Sequence, residues 1–268
     1  MEEQGIAIVE RPREGAGRAA PRGGALVVTG GGRGIGREIA LAAARAGSPV
    51  ALLYRSRPEA ASRVVDEIEG AGGRAIALAA DVGEESQVLA AFAAIDGAFQ
   101  GICGLVNNAV LAGEPARLAD LRYADLERVF RTNVFGAFLC AREAAKRLST
   151  RNGGQGGAIV SHSSAVAVQT GAPGWVHFAA SKGALETMSR GLAKELAPEG
   201  VRVNVVRCGV IRTESRLAQD EGYRNRALAQ VPVGRMGDPA EVARAVLWLL
   251  SPESAYVSGA VVDVTGGM

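Results

Sequence analysis

This chain has few cysteines and no long apolar run. None of its apolar stretches reaches the roughly 20 residues that a membrane-spanning helix needs. The three cysteines, Cys103, Cys140 and Cys208, are odd in number, far apart in sequence and never in a C-x-x-C spacing. That pattern favours neither a disulfide framework nor a zinc site, and it is typical of a reduced compartment. We therefore expect a cytoplasmic protein that contacts no membrane and binds no metal.

Aromatic residues are also scarce, at 4% of the sequence, and 30 basic against 28 acidic residues leave a net charge of +2. Nucleic-acid binding usually requires a marked basic excess and aromatic rings on which bases can stack. We therefore expect no nucleic-acid partner. The first residues lack an apolar signal core and carry several glutamates, which argues against a targeting peptide.

Residues 1–23 differ from the rest of the chain. They are rich in Arg, Pro and Gly and show no hydrophobic period, which predicts a flexible N-terminal arm. From residue 24 to residue 268, short apolar runs alternate with longer amphipathic stretches, and no linker divides them. We therefore expect a single domain in this part of the chain.

The apolar runs are nearly continuous rather than alternating, as in strands that helices cover on both faces. Seven strands are predicted, at residues 25–29, 50–54, 75–79, 104–107, 158–162, 201–206 and 260–264. Six helices are predicted between them, at residues 34–46, 59–70, 85–99, 123–148, 179–197 and 239–250. Regular strand–helix alternation indicates right-handed crossovers, and therefore a Rossmann-type, doubly wound parallel α/β sheet.

A glycine-rich turn, TGGGRGIG at residues 29–36, joins the first strand to the first helix. Glycines let the backbone turn tightly and approach a pyrophosphate, and the N-terminus of the helix offers free N–H groups to phosphate. Because a strand precedes the turn and a helix follows it, the pattern predicts a dinucleotide site. We expect Gly30, Gly32, Arg33 and Ile35 to bind the cofactor.

The end of the second strand indicates which dinucleotide is bound. NAD sites usually place an acidic residue there for the ribose 2′-hydroxyl, whereas this chain continues into Arg55, Ser56 and Arg57. Arg55, Ser56 and Arg33 are the candidate ligands of a 2′-phosphate. The alternative is a solvated pair of surface arginines. We therefore expect NADP(H) rather than NAD(H).

These motifs, in this order, resemble those of the short-chain dehydrogenase/reductase family, in particular its 3-oxoacyl-[acyl-carrier-protein] reductase branch. The resemblance covers about residues 24–268 and includes the NNA of residues 107–109, Asn133 in TNV, a serine pair after the fifth strand and the lysine of FAASK. It implies further cofactor contacts at Asp81, Val82, Asn108, Ala109, Lys182, Ile211 and Thr213.

Not every catalytic residue of the family has a counterpart in this sequence. The resemblance implies that Ser164 holds the substrate oxygen and that Asn133 orders a water relay. The family's general acid is a tyrosine four residues before the lysine, and Phe178 stands at that position here. A phenyl ring cannot donate a proton, and the loss of a general acid costs about 10²–10⁴-fold in rate. Lys182 is then expected to keep only its cofactor role.

Other residues are candidate proton donors. His162 lies two residues before the catalytic serine and shares its face if the strand continues, although a packed histidine is the commoner outcome. Tyr223 lies in a predicted mobile substrate loop, residues 212–230, and can approach when that loop closes. His177 points roughly 100° away from Phe178 on a helix, so we do not expect it to reach the same place.

Three further positions depart from the family motifs. Val110 replaces the last glycine of NNAG and is expected to crowd the cofactor cleft. The run Arg207-Cys208-Gly209 replaces a proline-glycine approach to the nicotinamide, and its cysteine is either an active-site thiol or a buried filler. Thr265 replaces the aspartate of a closing VDGG. Trp175 either lines the substrate cleft or packs against a helix.

We expect an NADPH-dependent reductase of a C=O, C=C or C=N bond in a small or carrier-linked metabolite, with proton delivery that differs from the family's. Divergent members of the family often serve specialised metabolism, and the family commonly forms tetramers, so a homotetramer or homodimer is expected. Two alternatives stay open: a non-redox cyclase, dehydratase or isomerase on the same scaffold, and an inactive subunit that stabilises an active relative.

Overall fold

Residues 24–167 and 173–268 are described in the computed structural model of the protein. The predicted N-terminal arm, residues 1–23, lies outside the described residues. In the described part of the chain, seven strands form one sheet in which every neighbouring pair is parallel. The strands are β1 (Ala25–Thr29), β2 (Val50–Tyr54), β3 (Ala75–Ala79), β4 (Ile102–Asn107), β5 (Gly157–Ser164), β6 (Val201–Cys208) and β7 (Val261–Val264).

Helices connect the strands and cover the sheet. They are α1 (Gly34–Arg45), α2 (Pro58–Gly70), α3 (Glu85–Phe99), α4 (Tyr123–Phe130), α5 (Gly136–Leu148), α6 (Val176–Leu196), α7 (Glu214–Leu217), α8 (Glu221–Leu228) and α9 (Pro239–Leu250). Among these described helices, none is both long enough and apolar enough to cross a membrane.

Alternate side chains of β1 enter two different cores. Val27 packs with apolar residues of α3, α5 and α6, whereas Val28 packs with those of α1, α2 and α9. Because helices cover both faces, all five residues of β1 are buried. This is why the strands are nearly continuous apolar runs, and it confirms the predicted doubly wound α/β sheet.

The strand order, β3-β2-β1-β4-β5-β6-β7, places the ligand site. Successive strands step away from β1 in one direction and from β4 in the other, so the order reverses between these two. Open parallel sheets bind ligands outside the carboxyl ends of their strands, at such a reversal. The segments that follow β1, β2, β4, β5 and β6 meet at this edge of the sheet.

The predicted helix at residues 123–148 is interrupted in the structure. α4 ends at Phe130, and one π-helical turn, Arg131–Phe135, precedes α5. A π turn inserts a residue and changes where the following side chains point, and such turns are frequent at functional sites. Here the turn contains the buried Asn133.

The predicted loop at residues 212–230 contains the two short helices α7 and α8. The Thr213 side chain accepts a hydrogen bond from the backbone N–H of Arg216, and the Asp220 side chain accepts one from that of Tyr223. These caps satisfy N–H groups that have no partner within a helix, which explains why the segment is helical.

Candidate active site

The turn after β1 has the conformation that a phosphate cradle requires. Gly30 and Gly34 have positive φ angles of 66° and 53°, and a Cβ atom at Gly36 would lie 2.4 Å from the carbonyl oxygen of Gly30. No side chain in the described residues caps the start of α1, and its first turn has no acidic residue. The N–H groups at that helix terminus are therefore available to an anion, which fits a dinucleotide pyrophosphate.

A hydrogen-bond network ties the turn after β1 to the turn after β4. The Thr29 hydroxyl oxygen accepts bonds from the N–H groups of Asn108 and Ala109, each at 2.9 Å. The Asn108 amide donates to the carbonyl oxygens of Thr29 and Gly30 at 2.9 and 3.2 Å. These bonds fix the NNA segment against the glycine turn, where the sequence predicts cofactor contacts.

Every residue that the sequence assigns to the cofactor lines one cavity of about 390 Å³. Ser164, Phe178 and His162 line the same cavity. The arrangement therefore brings the glycine turn, the arginines after β2 and the carboxyl end of β5 together, as the strand order requires.

Arg55 is only loosely held at this cavity. Its Nη1 lies 3.8 Å from Oδ2 of Asp81, and about half of its side chain is exposed. Exposed ion pairs of this kind contribute about 0–1 kcal/mol, so a phosphate can attract the guanidinium away at little cost. Arg33 and Ser56 line the cavity as well, which gives a 2′-phosphate three candidate ligands.

Lys182 is buried on α6, with its ammonium group facing β5. Nζ donates a hydrogen bond to the carbonyl oxygen of His162 at 2.7 Å. It also lies 5.9 Å from the centroid of the Phe178 ring, because residues four apart share one face of a helix. Burial lowers the pKa of Lys182 to about 8, so the ammonium is a far stronger acid than that of an exposed lysine.

Asn133 does not reach the cavity wall formed by the described residues. Its side-chain oxygen accepts from the N–H of Leu111 at 2.8 Å, and its amide donates to the Leu111 carbonyl at 2.8 Å and to the Ser181 hydroxyl at 2.9 Å. Ser181 in turn donates to the Phe178 carbonyl at 2.7 Å. The side chain of Asn133 therefore connects the segment after β4 to the second turn of α6.

His162 is held in one tautomer. Its Nδ1 lies 3.2 Å from Oδ1 of Asn108, whose amide nitrogen already donates two bonds to the glycine turn. The amide oxygen must accept, so Nδ1 carries the proton and Nε2 is an acceptor. Burial, helped by the charge of Lys182, lowers the pKa of His162 to about 3. A neutral histidine of this kind is a poor proton donor near neutral pH. This argues against the hypothesis that His162 replaces the family's tyrosine as the proton donor.

Arg207, which replaces a residue of the family's approach to the nicotinamide, does not line the cavity. It bonds both carboxylate oxygens of Glu186, at 2.8 and 3.0 Å, and Oδ1 of Asp263 at 2.8 Å. Ser163 also donates to Glu186, at 2.7 Å. Burial alone would raise the pKa of Glu186. The hydrogen bonds from Arg207 and Ser163 outweigh this effect and hold the pKa of Glu186 below its usual value.

The Glu186–Arg207–Asp263 cluster was missed by sequence reasoning. The one available signal is that Glu186 lies four residues after Lys182, on the same face of α6. Cys208, next to Arg207 on β6, does line the cavity, and burial raises the pKa of its thiol to about 12. A buried, protonated thiol favours the filler role of Cys208 over that of a nucleophilic thiolate.

The remaining candidates lie around the cavity or outside it. Val110 lines the cavity with half of its surface exposed, and its crowding of the cofactor stays a prediction. The rings of Trp175 and His177 stack with centroids 6.4 Å apart, and neither residue lines the cavity. Tyr223 packs beneath the guanidinium of Arg216 at 5.4 Å. Within residues 24–167 and 173–268, no cluster of His, Cys, Asp and Glu is arranged to hold a metal ion.

Comparison with known proteins agrees with this geometry. Residues 30–268 match the family model described as Enoyl-(Acyl carrier protein) reductase. The uncharacterized oxidoreductase YgfF of Escherichia coli is 46% identical over 243 residues, which cover 90% of this chain and 98% of that protein. The 3-oxoacyl-[acyl-carrier-protein] reductase FabG of Staphylococcus aureus is 33% identical over 242 residues, which cover 90% of this chain and 96% of that protein.

A solved structure is similarly close. The short-chain dehydrogenase from Burkholderia cenocepacia, in complex with NADP, superposes with a TM-score of 0.86 at 33% identity. The match covers 93% of this chain and 99% of that one. The resemblance predicted from the motifs is therefore confirmed at the level of the family and its oxidoreductases. The chain belongs to the short-chain dehydrogenase/reductase family.

Proposed function

We propose that the protein is an NADPH-dependent reductase of a C=O, C=C or C=N bond in a small or carrier-linked metabolite. One observation carries this proposal: a single cavity joins an uncapped helix terminus and two arginines to Ser164 and Lys182. The relative from Burkholderia cenocepacia was solved with NADP, and the relative from Staphylococcus aureus is named as a 3-oxoacyl-[acyl-carrier-protein] reductase. Both relatives support this class of reaction.

The cofactor contacts follow from the geometry of the glycine turn. The N–H groups at the start of α1 bind the pyrophosphate, and Arg33 and Arg55 bind the 2′-phosphate. Lys182, which has one N–H bonded to the His162 carbonyl, has two further N–H groups for the nicotinamide ribose and the substrate. When bound, the reduced nicotinamide supplies a hydride ion.

The chain's own residues then supply the hydrogen bond and the proton. The Ser164 hydroxyl donates to the substrate oxygen, because it lines the cavity at the carboxyl end of β5. That oxygen gains one proton as the hydride adds to carbon. Whereas the sequence predicts only a cofactor role for Lys182, we propose its buried ammonium as the source of this proton. A pKa of about 8 makes this group acidic enough near neutral pH, and solvent restores the proton after product leaves.

The test is consumption of NADPH by the purified protein with a panel of aldehydes, ketones, enones, imines and acyl thioesters. We expect NADPH oxidation, with one equivalent of reduced product for each NADPH consumed, for at least one class. Tight NADPH binding without turnover across the whole panel would contradict the proposal.

Phe178 favours a second candidate, a non-redox reaction on the same scaffold, because it removes the hydroxyl that the family uses as an acid. Conversion of a substrate with no change in NADPH absorbance would support a cyclase, dehydratase or isomerase. An inactive partner subunit remains the third candidate, and it predicts tight binding to an active relative. For the two enzymatic candidates we propose a homotetramer or homodimer, since Phe135 and Phe138 are about half exposed beside α5 and on it. We also propose a cytoplasmic location.

A further inference from the structure

Basic residues outnumber acidic residues in the lining of the cavity. Two acidic residues line it, and each already has a basic partner: Asp81 lies 3.8 Å from Arg55, and Glu214 lies 3.8 Å from Arg57. Three other lining cations, Arg33, Lys182 and Arg216, have no carboxylate within 4 Å among the described residues. The cavity therefore offers more positive charge than its own acids neutralise.

Arg33 and Lys182 have roles in the proposed cofactor site, whereas Arg216 does not. Arg33 is in the glycine turn, where the phosphates bind, and Lys182 faces β5 beside Phe178. Arg216 is on α7, and the start of this helix lies against the glycine turn: a Cβ atom at Gly34 would lie 3.4 Å from Cγ2 of Thr213, the cap of that helix. Arg216 is three residues beyond this contact, in the wall that the 212–230 segment contributes to the cavity.

The guanidinium of Arg216 is held in place by its neighbours. Nη1 donates to Oε1 of Gln219 at 2.9 Å, and the plane of the group lies over the Tyr223 ring at 5.4 Å. Gln219 lines the cavity too. Arg212 of the same segment is instead paired with Asp238. A guanidinium has five N–H donors, so Arg216 keeps most of them for a ligand after bonding Gln219.

We infer that Arg216 binds a carboxylate of the substrate, and therefore that the substrate is a carbonyl compound with a carboxylate group. The inference rests on the proposed reductase function and adds a substrate class to it. A planar guanidinium can form two parallel hydrogen bonds to a carboxylate, which would orient the carbonyl toward Ser164. An uncharged substrate would leave the N–H groups of Arg216 that Gln219 does not accept without a charged partner in the cavity.

The experiment compares a charged probe with an uncharged one that is larger by one methyl group: 4-formylbenzoate and its methyl ester. Binding of each to the complex of the protein with NADP⁺ is measured by calorimetry, and reduction of each by NADPH is measured in parallel. The variants are Arg216→Met, the conservative Arg216→Lys, and Arg226→Met as a control, since Arg226 is an arginine of α8 that does not line the cavity.

We expect the carboxylate probe to bind at least about 10-fold more tightly than the ester, as a charge-assisted hydrogen-bonded pair provides. Arg216→Met should remove that preference and raise the KM for the carboxylate probe. Arg216→Lys should retain part of it, and Arg226→Met should retain all of it. NADPH affinity should stay within about twofold in every variant, since Arg216 is not assigned to the cofactor.

Other outcomes would overturn the inference. The first is equal affinity of the wild type for the two probes. The second is a preference for the carboxylate probe that survives in Arg216→Met. The third is an NADPH affinity that falls about 10-fold in Arg216→Met. The last result would assign Arg216 to the cofactor phosphates. If the carboxylate binds through Arg216 but neither the probes nor any compound of the wider panel is reduced, the inference stands and the reductase proposal fails. If both probes are reduced equally and Arg216→Met has no effect, the reductase proposal stands and the inference fails.

Discussion

The substitution Phe178→Tyr places a hydroxyl group where the cavity has a phenyl ring. The ring is part of the cavity wall, and its centroid lies 5.9 Å from Nζ of Lys182. With an effective dielectric constant of about 20, a unit charge at about 6 Å stabilises a phenolate by about 2.8 kcal/mol. That energy corresponds to a fall of about 2 units from the ordinary tyrosine pKa of about 10.

A phenol with a pKa near 8 is a good general acid at neutral pH, because it is protonated and yet releases its proton readily. We therefore expect Phe178→Tyr to raise kcat for carbonyl reduction by about 10²-fold, the lower end of the range for general acid catalysis. NADPH affinity should change little, since the phenyl ring contributes no hydrogen bond. The assay is initial-rate NADPH oxidation with a carbonyl compound that the wild type reduces.

Two further variants separate the hydroxyl group from a change in packing. Phe178→Leu keeps the position apolar and should not increase kcat, and adding Lys182→Met to Phe178→Tyr should abolish most of the gain. A gain of less than about threefold in Phe178→Tyr would refute the reasoning, because it would place the hydroxyl away from the reacting oxygen.

Three more predictions follow from the site. If the Lys182 ammonium supplies the proton, wild-type kcat/KM should fall about tenfold per pH unit above pH 8. The reason is that the pKa of Lys182 is lowered to about 8 and only its protonated form can act. A profile flat to pH 10 would contradict this role. Ser164→Ala should lower kcat by about 10²–10³-fold with little change in NADPH affinity, because it removes a hydrogen bond to the developing charge; wild-type turnover in that variant would show that another group holds the oxygen. Arg207→Met should lower the free energy of unfolding by about 3–5 kcal/mol in urea titrations, because it leaves the buried Glu186 carboxylate without its ion-pair partner. Arg63→Met, at an exposed position on α2, is the control, and equal stability of the two variants would contradict the ion-pair argument.

Much of the fold could be predicted from the sequence, because each buried strand is a continuous apolar run. The positions of β1, β2 and β3 agree with the predicted positions residue for residue. The ends of β5 and β6 extend further than predicted, because their last residues are polar or small yet still pair. The π turn gives no such signal, since one inserted residue leaves the apolar period nearly unchanged.

The cofactor-binding residues could be located by spacing, because the carboxyl ends of parallel strands lie at one edge of the sheet. The partners of individual side chains could not. Glu186 and Arg207 are 21 residues apart in sequence, and Arg207 and Asp263 are 56 apart, so only the folded sheet brings them together. The tautomer of His162 likewise depends on Asn108, which is 54 residues away.

The central claim is that the cavity binds NADPH in preference to NADH. Its most direct test is titration of the purified protein with each nucleotide, monitored by calorimetry. We predict micromolar NADPH affinity, with NADH at least about 10-fold weaker, and Arg55→Met should remove most of that difference while leaving NADH affinity unchanged. Equal affinity for the two nucleotides would contradict the assignment of Arg33 and Arg55 to the 2′-phosphate. No binding of either would contradict the reductase proposal as a whole.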